Sequence, residues 1–298
     1  MTTARDVAPG RLPEWARKGS PLAAEARELR VLLREGGLNT VCEEARCPNL
    51  GECFSRGTAT FMLLGDRCTR RCDYCAVDTR KPLPPDPHEP ERVAAAATRM
   101  RLRYVVLTSV ARDDLADGGA GHFAHTVRAI RRRSPEAQVE VLTPDFKGDE
   151  AALALVLADQ PDVFNHNVET VPRVFTRVRR QGDYATSLEL LRAAKRLRPG
   201  QTTKSGLMVG LGETDDEIAQ VLAELRAADV DIVTLGQYLR PSRDHAPVER
   251  YVSPDGFARL ERMARELGFP TVHAGVFVRS SFNAEEVAGR HAARPPLA

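Results

Sequence analysis

From Thr60 onward, short β-branched or apolar runs alternate with longer amphipathic stretches, a pattern that few architectures other than parallel strands joined by crossover helices can satisfy. Six such units can be traced. The predicted strands cover 60–64, 103–108, 138–142, 162–165, 204–209 and 231–235, and the predicted helices 89–101, 121–133, 149–158, 184–197, 215–228 and 254–267. Right-handed crossovers make this an α/β chain with an incomplete parallel (β/α)6 barrel, an open doubly wound sheet being the alternative. Either way, chemistry is expected at the C-terminal ends of the strands. Ahead of the barrel, 21–34 reads as a helix stopped by Gly36 and Gly37. The stretch from there through Cys53 reads as irregular, because proline and glycine oppose helix.

Charge and hydropathy narrow the function classes. With 43 basic and 41 acidic side chains the net charge is +2, which lacks the strongly basic balance of a nucleic-acid binder. The longest apolar stretches, such as 151–158, fall far short of the roughly 20 residues a membrane span requires. The N-terminal residues lack the apolar core of a secretion signal, so a cytoplasmic protein with neither a nucleic-acid nor a membrane partner is expected.

All six cysteines fall between Cys42 and Cys75. Such crowding in a long chain without an export signal points to a metal or redox site rather than a disulfide framework. The loop after the first predicted strand reads Cys68-Thr-Arg-Arg-Cys72-Asp-Tyr-Cys75. Three thiolates leave one position of a four-iron cluster open to a substrate; a zinc loop completed by a distant His or Asp is the alternative. This C-x3-C-x2-C spacing, with Tyr74 before the last thiol, resembles the signature of the radical S-adenosylmethionine superfamily. That resemblance implies a cluster held by Cys68, Cys72 and Cys75, with the amino and carboxylate groups of S-adenosylmethionine on its unique iron. Cys42, Cys47 and Cys53 form a second triplet, C-x4-C-x5-C, which likewise needs a fourth ligand or stays open.

The second triplet within 41–53, Gly57-Thr-Ala-Thr-Phe-Met-Leu-Leu-Gly-Asp, the block Thr108 to Ala120, Asn165-His-Asn-Val-Glu, Lys204-Ser-Gly-Leu-Met-Val-Gly-Leu-Gly-Glu, Gly236-Gln-Tyr-Leu-Arg-Pro and Val278-Arg-Ser-Ser-Phe together resemble the lipoyl synthase family over roughly 40–285. The resemblance implies an auxiliary 4Fe–4S cluster on Cys42, Cys47 and Cys53 whose fourth ligand is a serine of a C-terminal Arg-Ser-Ser-Tyr motif. Carried over, that ligand is Ser281, with Ser280 the second choice. Also implied is sulfur insertion at C6 and C8 of a protein-bound octanoyl-lysine, with the auxiliary cluster consumed as the sulfur source. The implied partners are octanoylated lipoyl carrier domains of 2-oxoacid dehydrogenases or the glycine cleavage carrier protein, and an electron donor. An oxygen ligand suits a cluster that must open, since it matches iron–sulfur surroundings less well than thiolate. The expected organisation is an N-terminal extension over 1–58, a barrel over 59–270 and a C-terminal segment over 271–298. The chain departs from the family pattern at Ala111, Val276, Phe277, Phe282 and Asn283, which touches no proposed iron ligand but does touch their surroundings. Another sulfur-inserting enzyme of the superfamily and an iron–sulfur electron carrier are the competing readings.

The remaining candidates lie on strand-end loops. Asp114, Gly118 and Gly119, in a loop that also carries Asp113 and Asp117, form either a cofactor-binding edge or a glycine turn with a capped helix. Asn167 and Glu169, leaving the fourth strand beside Asn165, suit the ribose or methionine part of the cofactor, whereas His166 reads as a structural hydrogen-bonding residue. Lys204, one of only five lysines against 38 arginines, is either a cofactor contact paired with a carboxylate or a charge at a strand entrance. Gln237, Tyr238 and Arg240 are candidates for the substrate side. The basic groups 131–133 and 177–180 read as solvated helix faces, or as a docking surface for an acidic carrier.

Overall fold

Eight strands lie side by side in chain order in the computed structural model, which describes residues 6–7, 10–18, 24–56 and 59–293. The predicted helix start at 21–23, the Gly57-Thr58 pair and the chain ends lie outside the described residues. The strands are β1 (Asn39–Thr40), β2 (Thr60–Leu63), β3 (Tyr104–Ser109), β4 (Gln138–Leu142), β5 (Val163–Asn165), β6 (Thr202–Val209), β7 (Ile232–Gln237) and β8 (Thr271–Gly275). The short β1 pairs antiparallel with β2, and every later pair is parallel. The helices are α1 (Ala24–Glu35), α2 (Val41–Glu44), α3 (Leu50–Ser55), α4 (Glu89–Arg99), α5 (Ala120–Arg133), α6 (Glu150–Ala158), α7 (Pro172–Val178), α8 (Tyr184–Leu197), α9 (Asp215–Ala227), α10 (Pro254–Glu266) and α11 (Ala284–Ala292).

The incomplete parallel barrel is therefore present, and the parallel run reaches seven strands rather than six. The added strand, β8, offers only Thr-Val-His-Ala-Gly, too short and mixed a run to stand out by period. The stretch before the barrel is also more helical than its composition suggests. Thr40 caps α2 by accepting from the Glu43 amide, and α3 forms despite Gly51. Both helices carry thiols, so this local order sets their spacing.

Both faces of the strands are covered, as parallel sheets require. The floor of the barrel is polar. Glu140 of β4, wholly buried, accepts from the Tyr104 hydroxyl at 2.7 Å, Asn165 Nδ2 at 2.8 Å and Lys204 Nζ at 2.9 and 3.0 Å. Below it, Ala284 and Ala288 of α11 pack with Tyr104, Val106 and Val163. Among the described residues no helix is long and apolar enough to cross a membrane.

Candidate active site

A cavity of about 320 Å³ opens at the C-terminal ends of the strands, and all six cysteines line it. The Cys68–Cys75 loop leaves β2 and is tied on three sides. The Cys68 amide donates to Asp78 O at 2.7 Å, the Asp73 amide to Val178 O at 2.8 Å, and the Thr69 amide to Ala111 O at 3.0 Å. Two backbone amides, of Arg70 and Ala111, donate to the Cys68 sulfur at 3.4 and 3.3 Å. Ala111 thus serves through its main chain, so the missing side-chain carboxylate leaves this hold intact. Burial pushes the Cys75 thiol up to about 12, with the charges of Cys72 and Cys68 acting in the same direction. The Cys72 thiol is raised for the same leading reason, while Arg179 and the Tyr74 hydroxyl oppose it.

An ion network fixes this loop from behind. Arg70 is buried and clamps two carboxylates bidentately: Asp113 beyond β3, at 2.8 Å from both Nε and Nη2, and Asp145 beyond β4, at 2.6 Å from Nη1 and 2.7 Å from Nη2. Burial alone would raise Asp145, but the Arg70 hydrogen bonds and charge outweigh it and hold the carboxyl down at about 2. Arg179 stands 3.7 Å from the same carboxylate and donates to Asn167 O at 3.1 Å.

Cys42 of α2, Cys47 in the connection and Cys53 of α3 line the same cavity as the first triplet and the C-terminal segment. Burial, then the neighbouring Cys47 and Cys53, push Cys42 up to about 12; burial and Cys47 push Cys53 up to about 11. Arg279, Ser280 and Ser281 line the same space. Asn167 Nδ2 donates to Ser280 Oγ at 3.3 Å, whereas no described residue hydrogen-bonds the Ser281 hydroxyl. The tail reaches this position because Gly236 of β7 lets the Val278 carbonyl approach to a distance that a side chain would forbid. Gly236→Ala is expected to displace the tail and cost about 1–3 kcal/mol through overpacking. Denaturant unfolding, together with the iron content after reconstitution, measures both effects.

The donor set suits iron–sulfur clusters. Among the described residues no three or more His, Cys, Asp or Glu converge to hold a single metal ion, and the thiolates of a cubane cluster each bind a different iron and so stand apart. Thiols raised this far by burial need an adjacent cation to ionise, which iron at the sulfur supplies. The cavity also offers unpaired polar atoms for an organic cofactor. Ser109 Oγ, Thr143 Oγ1, His166 Nε2 and Asn167 Oδ1 are buried without a partner among the described residues. His166 Nδ1 lies 2.8 Å from Thr143 O, which can only accept, so Nε2 carries a lone pair. Burial, then Arg179, lowers His166 to about 4, which keeps the ring neutral. Glu169 holds a left-handed backbone at φ 66°, costly for a non-glycine residue, and burial raises its carboxyl.

Of the sequence candidates, the cavity gathers the six cysteines, Ser281, Tyr74, Asn167, Glu169 and Tyr238. Ser280, His166 and Arg179 line it as well, whereas Asp114, Gly118, Gly119, Lys204, Gln237 and Arg240 do not. Asp114 receives a bidentate pair from Arg112, both at 2.8 Å. Gly118 and Gly119 form the left-handed turn into α5, and a side chain on Gly119 would clash with Leu64. Lys204 is spent on Glu140 in the barrel floor. Gln237 is buried against Arg250 O, Tyr238 O and the Val252 amide. Arg240 is exposed and turns to the carbonyls of His245 and Arg243.

The basic groups are mostly engaged as well: Arg131 with Asp162, Arg132 and Arg133 with Glu91, Arg180 with Asp73 and Arg177 with Leu211 O. Arg179, grouped with them by sequence, is buried and lines the cavity. Arg70, Arg179, Arg279 and His166 carry no spacing signal of their own. Only the loop in which Arg70 sits, between two thiols, marks it out.

The model of the radical SAM superfamily matches residues 62–225. The lipoyl synthase of Methylococcus capsulatus is 57% identical over 282 residues, covering 94% of this chain and 88% of that protein. That of Laribacter hongkongensis is 54% identical, covering 93% and 89%. Among solved structures, methylornithine synthase (PylB) aligns with a TM-score of 0.56 at 14% identity, over 83% of this chain and 74% of that one. The [FeFe]-hydrogenase maturase HydG aligns with 0.58 at 15%, over 77% and 54%. These two likenesses concern the fold alone. With the superfamily model spanning more than half of the sequence and relatives more than half identical along nearly all of it, the chain belongs to the radical SAM superfamily and, within it, to the lipoyl synthases.

Proposed function

We propose that the chain inserts two sulfur atoms, at C6 and C8, into an octanoyl group amide-linked to a lysine of a carrier domain. The observation that supports this reading is the shared cavity, into which both thiol triplets and Ser281 project. When bound, a 4Fe–4S cluster on Cys68, Cys72 and Cys75 with S-adenosylmethionine supplies hydrogen-abstracting radical chemistry, and an auxiliary 4Fe–4S cluster on Cys42, Cys47, Cys53 and Ser281 supplies sulfide.

The chain's own residues hold, orient and keep dry. Glu169 and Asn167 would take the cationic or hydroxyl groups of the cofactor, the His166 Nε2 lone pair would accept from its nucleoside end, and Ser109 Oγ would accept or donate there. Val110, Leu142, Met208 and Leu239 give the cavity an apolar wall for an eight-carbon chain. Excluding water there also keeps a reactive carbon centre from competing partners. The octanoylated carriers are the lipoyl domains of 2-oxoacid dehydrogenases or the glycine cleavage carrier protein, and a separate donor delivers electrons. Arg46 and Arg71 adjoin Cys47 and Cys72, are exposed, and have no side-chain partner among the described residues, which suits the approach of an acidic carrier.

Anaerobic incubation of reconstituted protein with octanoylated carrier peptide, S-adenosylmethionine and reductant is the test, read by mass spectrometry. The expected product carries two sulfurs in place of two hydrogens, with methionine and 5′-deoxyadenosine as co-products. Formation of 5′-deoxyadenosine with no sulfur in the peptide overturns the reading.

A further inference from the structure

We propose that Lys18 is a positioning residue that staples the Ser280–Ser281 segment over the Cys42–Cys47–Cys53 triplet. This rests on the reading that Ser281 completes the auxiliary site. The Lys18 ammonium stands 5.0 Å from the ring centroids of both Phe277 and Phe282, which bracket the two serines. It also donates to Asn49 Oδ1 at 2.6 Å and pairs with Glu52. Asn49 and Glu52 lie between Cys47 and Cys53, so one charge joins the thiol-bearing helix to the serine tail.

The same junction is locked a second time: Asn49, itself buried, donates through Nδ2 to Phe277 O at 2.7 Å. Two stretches of chain, 49–52 and 277–282, therefore converge on one cation whose side chain is only 18% exposed. Two ring faces and a carboxylate, partly desolvated, hold an ammonium better than either kind of partner alone.

This arrangement also accounts for a departure from the family pattern. Phe282 stands where a tyrosine is usual, yet its contacts here, the Lys18 cation and a ring stacked on His273 at 6.4 Å, use the ring face and need no hydroxyl. Asn283 beside it adopts φ 54°, a left-handed conformation that asparagine tolerates, and accepts from Arg56 Nη1 at 3.2 Å.

The test is hydrogen–deuterium exchange of peptides covering 276–283 in the full chain, paired with the rate at which a ferrous chelator extracts iron from reconstituted protein. To assign that iron to the auxiliary site, the extraction is done in a Cys68→Ala, Cys72→Ala, Cys75→Ala background. Lys18→Met is expected to speed both readouts about tenfold, Phe282→Leu to do the same, and Lys18→Arg to restore near-native rates. Wild-type exchange of the tail in Lys18→Met overturns the proposal, as does faster exchange spread equally over the barrel strands, which marks general destabilisation. Failure of the ligand reading looks different: Ser281→Ala then leaves iron extraction unchanged while Lys18→Met still loosens the tail.

Discussion

Arg70→Met is expected to destabilise the fold by about 3–5 kcal/mol, because two carboxylates behind the cavity lose their bidentate partner and keep, among cations, only the longer contacts of Arg179 to Asp145 at 3.7 Å and Lys147 to Asp113 at 3.9 Å. Asp145 is buried, and Asp113 is mostly shielded. The effect should appear as a lower denaturation midpoint at neutral pH. Part of it should return in Arg70→Met combined with Asp145→Asn, which removes the stranded charge. The pH dependence carries a definite sign. Arg70 holds Asp145 at about 2, below its ordinary value of 3.8, so the stabilisation is fully present above about pH 4 and is lost as the pH falls towards 2. The wild-type and Arg70→Met curves should therefore converge in acid. Arg70→Lys should recover less than half of the loss, since a single ammonium cannot bridge two carboxylates bidentately. A variant as stable as wild type would show that the network contributes nothing. The functional consequence follows from location: Arg70 sits between Cys68 and Cys72, so loosening its side chain loosens the loop whose Cys68 sulfur accepts from the Arg70 and Ala111 amides.

How much of this was legible beforehand depends on the range over which each signal acts. The barrel was readable because strand and helix periods are local: the predicted 138–142 and 184–197 coincide with β4 and α8. The cavity's place was readable for the same reason: the Cys68 triplet follows the first barrel strand, and all six cysteines line the cavity at the strand C-terminal ends. Lys204 was ambiguous for a physical reason. A lone lysine at a strand start can face the cavity or the floor, and only Glu140, 64 residues away in sequence, decides it. Gly118 and Gly119 form a turn whose positive φ, with the approach of Leu64 to Gly119, accounts for glycine at both positions. Arg179 was hidden inside a basic run that composition alone assigns to solvent. Long-range pairs such as Asn49 with Phe277, or Asn167 with Ser280, leave no periodic trace at all.

The choice between the two serines illustrates how geometry adds to a motif. Ser281→Ala is expected to abolish sulfur insertion, by more than about 100-fold, while 5′-deoxyadenosine formation persists, because the Cys68–Cys75 loop and its Arg70 network do not depend on the tail. Ser280→Ala should cost less than about tenfold, since that hydroxyl is already held by Asn167 at 3.3 Å and its loss frees an amide rather than a ligand position. Ser281→Cys separates ligation from release: a thiolate would hold iron more firmly than a serine oxygen, so iron content should be kept while insertion slows about tenfold or more. Mass spectrometry of the carrier peptide, 5′-deoxyadenosine yield and iron per chain distinguish the three variants. Full insertion by Ser281→Ala, or an interchange of the Ser280 and Ser281 phenotypes, would move the ligand assignment away from Ser281. A parallel loss of 5′-deoxyadenosine in Ser281→Ala would instead mean that the tail shapes the cofactor end of the cavity as well, through Asn167, which donates to Ser280 Oγ and also hydrogen-bonds the Glu169 carboxyl.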